Sequence, residues 1–198
     1  MKQAIRSRLC AFSLNAQRLA NFWRDRSGTG AIEFAIVAPL LIVAYLGSFE
    51  MSVGFNTARK VSRASSTVAD VLTQMQTVDK KTLDGMKDVA ASVMSPFGMT
   101  NYTLKMTGIK VTGPGKGIVA WSRDEDGATP YKIGTVISIP NDIKSVNAFL
   151  VRSELVVPHE LLLFAPGLAG SDIKTINLSK TYYFRQRVGT EIKCTDCT

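Results

Sequence analysis

Cys194 and Cys197 close a 198-residue chain in a C-x-x-C spacing, which suits a structural disulfide, a redox-active pair, or half of a zinc site. A redox pair belongs at a helix start in a thioredoxin-like unit, and zinc needs two more ligands. The third cysteine, Cys10, lies near the opposite terminus, and His159 is the only histidine. A disulfide tying down the tail is therefore the expectation, with no metal. Other chemical motifs are incomplete. His159-Glu160 opens like the zinc-binding H-E-x-x-H helix, but Leu161, Leu162 and Leu163 follow and no second histidine comes. Gly113-Pro114-Gly115-Lys116-Gly117 lacks the spacing and the Ser or Thr of a phosphate-binding loop and reads as a hairpin turn. No G-x-S-x-G elbow and no triad histidine pair is present, so no catalytic residue and no cofactor is expected. One lone acid stands out instead. Glu33 follows Gly28 by five residues and sits where a long apolar run begins. A carboxylate beside hydrocarbon is costly, about 2.5–3.5 kcal/mol at a helix centre and less near an end, so it calls for a positive partner. The bland alternative is a first-turn acid favoured by the helix dipole, worth about 0.3–1 kcal/mol.

The element that must position this acid is the run itself. Phe34 to Phe49 contains no charge, and Met51, Val53, Gly54 and Phe55 extend it past Glu50. A window from Ala31 to about Val53 supplies the roughly 20 residues that a membrane-spanning helix needs. A buried core helix would also be apolar, but no polar periodicity interrupts this run. Pro39 inside it is tolerable in a membrane helix. Upstream, residues 1–28 carry Lys2, Arg6, Arg8, Arg18, Arg24 and Arg26 against Asp25 alone. They outnumber Arg59, Lys60 and Arg63 on the far side, which predicts a cytoplasmic N-terminus and an external C-terminal domain. Cys10 then lies in a reducing compartment, and Cys194 and Cys197 in an oxidising one. The net charge of +8 is concentrated in this leader and not spread over a folded face, which argues against nucleic-acid binding. A cleaved secretory signal is disfavoured, because Tyr45 or Leu46 would stand three residues before a cut near Gly47 and Ser48.

Arg26-Ser27-Gly28-Thr29-Gly30-Ala31-Ile32-Glu33-Phe34 resembles the class III signal peptides of type IV pilins and pseudopilins, and Gly28 to Glu50 is similar to the TadE-like module. That resemblance implies cleavage by a prepilin peptidase between Gly28 and Thr29. It gives Glu33 the role of the helix-pairing acid, with the α-amine of a neighbouring subunit as its mate. It places Phe34 where Flp-type pilins carry an aromatic. Gly28 suits such a cut because no side chain obstructs approach to its backbone. Cutting after Gly30 would spoil the spacing to Glu33. The resemblance further implies a minor pseudopilin of a Tad pilus system in the bacterial inner membrane. Its partners would be the lipid bilayer, the prepilin peptidase, other pilins or pseudopilins, and the Tad inner-membrane components. TadE, TadF and TadG relatives share the module, so an unprocessed TadG-like envelope or secretion component is the second reading. A secreted binding module is the third.

The expected organisation is a basic leader at 1–28, a transmembrane helix at 29–55 and an extracytoplasmic α+β domain at 56–198. Val61, Ala64, Val68, Val71, Leu72 and Met75 recur at helical spacing, so the helix continues past the membrane as an amphipathic one. A second helix is predicted over about Thr82 to Met94, stopped by Ser95-Pro96 and Gly98. Period-two patterning then predicts an antiparallel sheet. Its strands fall at Tyr102 to Val111, Ile118 to Ser122, Tyr131 to Ile139, Ala148 to Val157, Leu161 to Phe164 and Ile176 to Val188. Tyr102, Leu104 and Met106 share one parity and Ile109 and Val111 the other, which suggests a bulge at Gly108. Trp121 is expected as a core anchor. Trp121-Ser122-Arg123, Asp126-Gly127, Ile139-Pro140 and Ser153-Glu154-Leu155 loosely resemble the sheet region of TadE-like proteins.

Overall fold

A computed structural model of the protein describes residues 28–143, 147–161 and 175–197. Residues 1–27 of the basic leader, Cys10 among them, and residues 162–164 of one expected strand lie outside them. Helix α1 spans Thr29–Thr73 with Pro39 inside it. The chain divides into two compact units, with the boundary between Ser48 and Phe49.

In the first unit every described large apolar side chain except the half-buried Leu46 is exposed. Phe34, Leu40 and Tyr45 are each about two-thirds exposed or more. No residue from 28 to 56 is buried, whereas Thr57, Val61, Ala64, Ser65, Val68, Ala69, Leu72 and Thr73 are. The spacing of three and four puts that second set on one helical face, as expected.

The second unit is built on that stripe. Strand β1 (Thr77–Val78) leads to helix α2 (Lys80–Met94). Asp79 caps α2, accepting the Thr82 N–H at 2.7 Å, and hydrogen bonds from Thr82 hold its carboxyl below the usual range. A five-stranded antiparallel sheet follows: β2 (Thr103–Gly113), β3 (Lys116–Asp124), β4 (Val136–Ser138), β5 (Phe149–Glu160) and β6 (Thr175–Arg185). Their spatial order is β4-β3-β2-β5-β6. Strand β7 (Lys193–Cys194) pairs in parallel with β1. The fold is the expected α+β arrangement of a long apolar helix, a second helix and an antiparallel sheet.

The main core gathers α1, α2 and one sheet face: Val61, Val68, Leu72, Leu83, Met94, Leu104, Met106, Trp121, Val151 and Leu155. A smaller cluster holds Ile109, Val111, Ile139, Ala148 and Leu150. These two clusters explain the change of parity in β2. Strands β2 and β5 pair without a break from Thr103↔Val156 to Lys110↔Phe149, so β2 itself does not bulge. The register slips against β3, where Gly108 faces Trp121 and Ile109 faces Val119, leaving Ala120 as the extra residue. Ile109 and Val111 simply point to the opposite face and fill the second cluster. Gly108 is required beneath Trp121, because a Cβ there would overlap the indole and the Phe149 ring.

Two expectations need correction. Of Tyr131 to Ile139 only Val136–Ser138 is strand. Gly134 takes a left-handed conformation (φ 82°), and the Tyr131 hydroxyl donates to Glu154 at 2.9 Å, which holds the preceding segment in a turn. The last strand ends at Arg185, short of Val188.

Arg123 ties α2 to β3 through a two-pronged contact with Asp84, Nε to Oδ1 at 2.6 Å and Nη2 to Oδ2 at 2.8 Å. The bond from Arg123 holds the Asp84 carboxyl below its ordinary range. A depressed carboxyl contributes stability above the unfolded pKa and loses it as pH falls through the folded value. Asp84 is partly exposed, so solvent screening limits the pair to about 1 kcal/mol. Arg123→Ala is expected to lower stability by about that amount at neutral pH and to flatten its fall below about pH 4. Urea unfolding at several pH values checks it. A variant whose acid profile matches the native chain would contradict the assignment.

Candidate functional site

Gly28 forms the turn that starts α1, and its carbonyl accepts the Ile32 N–H at 3.1 Å. Thr29 is the first residue of the helix as described, and Glu33 lies one turn further, about 6 Å along the axis and on the same face. No acid stands in the first turn. The helix-dipole reading of Glu33 therefore loses its footing, since that effect fades within one turn. Glu33 and Phe34 are both exposed. From Thr29 to Ser48 the helix is about 30 Å long, so the apolar run that continues to about Val53 is long enough to cross a bilayer's hydrocarbon core. The geometry brings Gly28, Thr29 and Glu33 to one end of an apolar helix of spanning length.

At the far end of the chain Cys194 and Cys197 are joined as a disulfide, with their Cα atoms 5.5 Å apart. The turn they close is anchored on both sides. The Lys80 N–H donates to Asp196 Oδ1 at 2.9 Å, and the Thr195 N–H donates to the Val78 carbonyl at 3.0 Å. Cys194, Asp196 and Cys197 bring their donor atoms within 4.8 Å of one another, but bonded sulfurs are not thiolate ligands. His159 and Glu160 end β5 beside a cavity of about 370 Å³ that Thr57, Asn101 and Thr175 also line. Trp121 is buried, and its indole N–H donates to the Ile192 carbonyl at 2.9 Å.

The family model described as TadE-like protein matches residues 28–70. This stretch is similar to the TadE-like family. The match begins at Gly28 and runs through the exposed apolar helix into the buried stripe, ending beside Val68 and Ala69. It thus extends twenty residues beyond Glu50, where the sequence resemblance was placed. The TadE-like segment holds Gly28, Thr29 and Glu33 together. Trp121, Arg123 and Glu154 fall outside it, so the looser sheet resemblance has no support from the match. No curated protein and no solved structure matches the chain.

Sequence reasoning used Arg59, Lys60 and Arg63 only to orient the chain. The structure gives Lys60 a further role: its Nζ donates to the Val93 carbonyl at 3.2 Å and to the Ser95 carbonyl at 2.7 Å, covering the C-terminal end of α2. That contact joins residues more than thirty apart, and no local pattern announces it.

Proposed function

We propose that this protein is a single-pass membrane component of a Tad pilus system, a minor pseudopilin whose leader a prepilin peptidase removes after Gly28. Its role is structural, in assembly and not in catalysis. One observation carries the membrane reading. A dozen large apolar side chains between Ile32 and Phe55 are 46% exposed or more. Leaving each half in water forfeits about 1 kcal/mol, so the set forfeits about 12 kcal/mol, comparable to the roughly 5–15 kcal/mol that keeps a domain folded. A bilayer removes that penalty. The basic leader then lies on the cytoplasmic side of a bacterial inner membrane and the sheet domain in the periplasm. The TadE-like match supports the choice of system.

Cleavage after Gly28 would place a new α-amino group at Thr29, one turn from Glu33, where the amine of one subunit can meet the carboxylate of the next. Amino-terminal sequencing of the membrane-purified protein tests this. A start at Thr29 is the expected result. A start at Met1 contradicts processing and leaves the unprocessed TadG-like component, and a start beyond Gly47 contradicts the anchor itself. The periplasm is oxidising, so Cys194 and Cys197 are expected to remain paired there. Cys194→Ser should add one free thiol to the unreduced protein. Both thiols labelling in intact envelopes of the native strain would contradict that pairing.

A further inference from the structure

We propose that Arg59 and Arg63, with the turn after α2, form a binding site for the phosphate-bearing headgroups of anionic lipid in the outer leaflet of the membrane that α1 crosses. This rests on the reading of α1 as a membrane span.

Within the second unit, α1 carries Phe49, Met51 and Phe55 as exposed apolar side chains. Arg59 follows about 9 Å beyond Val53 along the axis. The headgroup layer is about 5–8 Å deep on each side of the hydrocarbon, so the Arg59 backbone lies at its outer edge. Helical side chains lean toward the N-terminus, which here is toward the bilayer. The Arg59 guanidinium shows that lean, since it sits 4.3 Å from the centroid of the Phe55 ring, one turn back.

Asn56, Arg59, Lys60 and Arg63 share a helix face and line an open cleft of about 440 Å³ with Pro96 and Phe97. Lys60 is committed to the α2 carbonyls. Arg59 and Arg63 are exposed, and among the described residues neither forms an ion pair. Two guanidinium groups one turn apart suit a phosphate, which they can grip through paired N–H donors. Pro96 and Phe97 supply an apolar wall of the kind a glycerol backbone meets. A soluble anion would find the charges but gain nothing from Phe55 and its exposed neighbours; a lipid uses both. Phosphatidylglycerol has this chemistry.

The test uses the full chain in phosphatidylcholine bilayers, with spin-labelled phosphatidylglycerol and phosphatidylcholine competing for its surface. The native chain is expected to prefer the anionic label, part of that preference coming from the basic leader. Arg59→Gln with Arg63→Gln should lower the preference roughly fivefold, and Arg59→Lys with Arg63→Lys should keep most of it. An unchanged preference in the glutamine variant overturns the site while the chain stays in the bilayer. Loss of the preference on adding inorganic phosphate at matched ionic strength also overturns it, in favour of a free-anion site. A chain that does not enter the bilayer overturns the membrane reading and this site with it.

Discussion

Trp121→Ala is expected to lower the stability of the sheet domain by about 3–5 kcal/mol, the range for removing a large aromatic from a packed core. Trp121 is buried against Phe149, with ring centroids 6.5 Å apart, and it covers Gly108. Its loss would open a void bounded by both sheet and helices. It would also leave the Ile192 carbonyl without the indole N–H that now reaches it. Trp121→Phe isolates this second effect, expected at about 1–3 kcal/mol for an acceptor left unsatisfied. Urea unfolding followed by far-UV circular dichroism gives both numbers. A loss below about 1 kcal/mol for the alanine variant would show that Trp121 does not anchor the core.

Trp121 also shows how much of this domain the chain announces. The helical stripe from Val61 to Leu72 is legible because its period of 3.6 repeats over several turns. The strands at Leu104, Trp121 and Leu155 are legible because one of their faces is consistently apolar. The β1 and β7 pairing was not legible, since two-residue strands carry no period. The register shift does fall at Gly108, but its extra residue, Ala120, lies on the neighbouring strand, which β2 alone cannot show. Apolar residues that switch faces and a bulge that shifts register produce the same parity change in one strand, and only the β2–β5 register separates them. Tyr131 misled because its hydroxyl is held by Glu154, a partner no local window contains. The Arg152 guanidinium lies 4.3 Å from the Tyr131 ring centroid and 3.1 Å from Glu154, completing a polar group assembled from two distant segments.

Glu33→Ala is expected to leave membrane insertion intact and to reduce incorporation into pili tenfold or more. Two unit charges about 4 Å apart attract by about 4 kcal/mol at an effective dielectric near 20, before desolvation is subtracted. A tenfold loss requires only about 1.4 kcal/mol of that. Insertion should not suffer, because removing a carboxylate from the edge of an apolar helix eases entry into hydrocarbon. Glu33→Gln keeps the size and the hydrogen-bonding capacity and should fail nearly as badly if charge is what matters. The readout is the protein recovered in sheared pili relative to the membrane fraction. Native-level recovery of the alanine variant would contradict the pairing role.

The end of α1 was more legible than the sheet, because Gly28, Thr29, Glu33 and the run after them lie within one short window. A carboxylate between a basic leader and an uncharged run is a local signal. The structure adds that Glu33 stands beyond the first turn, which separates it from an ordinary dipole-favoured acid. The cationic cleft at Arg59 and Arg63 was half legible. The four-residue spacing from Phe55 to Arg59 to Arg63 is in the sequence, but the wall formed by Pro96 and Phe97 arrives only with the fold.

The proposed function requires the apolar part of α1 to cross a bilayer. Alkaline carbonate extraction of membranes from cells producing the full chain addresses that directly, since it strips peripheral proteins and leaves spanning ones. The protein is expected wholly in the pellet, from which detergent releases it. Recovery in the carbonate supernatant would contradict the account.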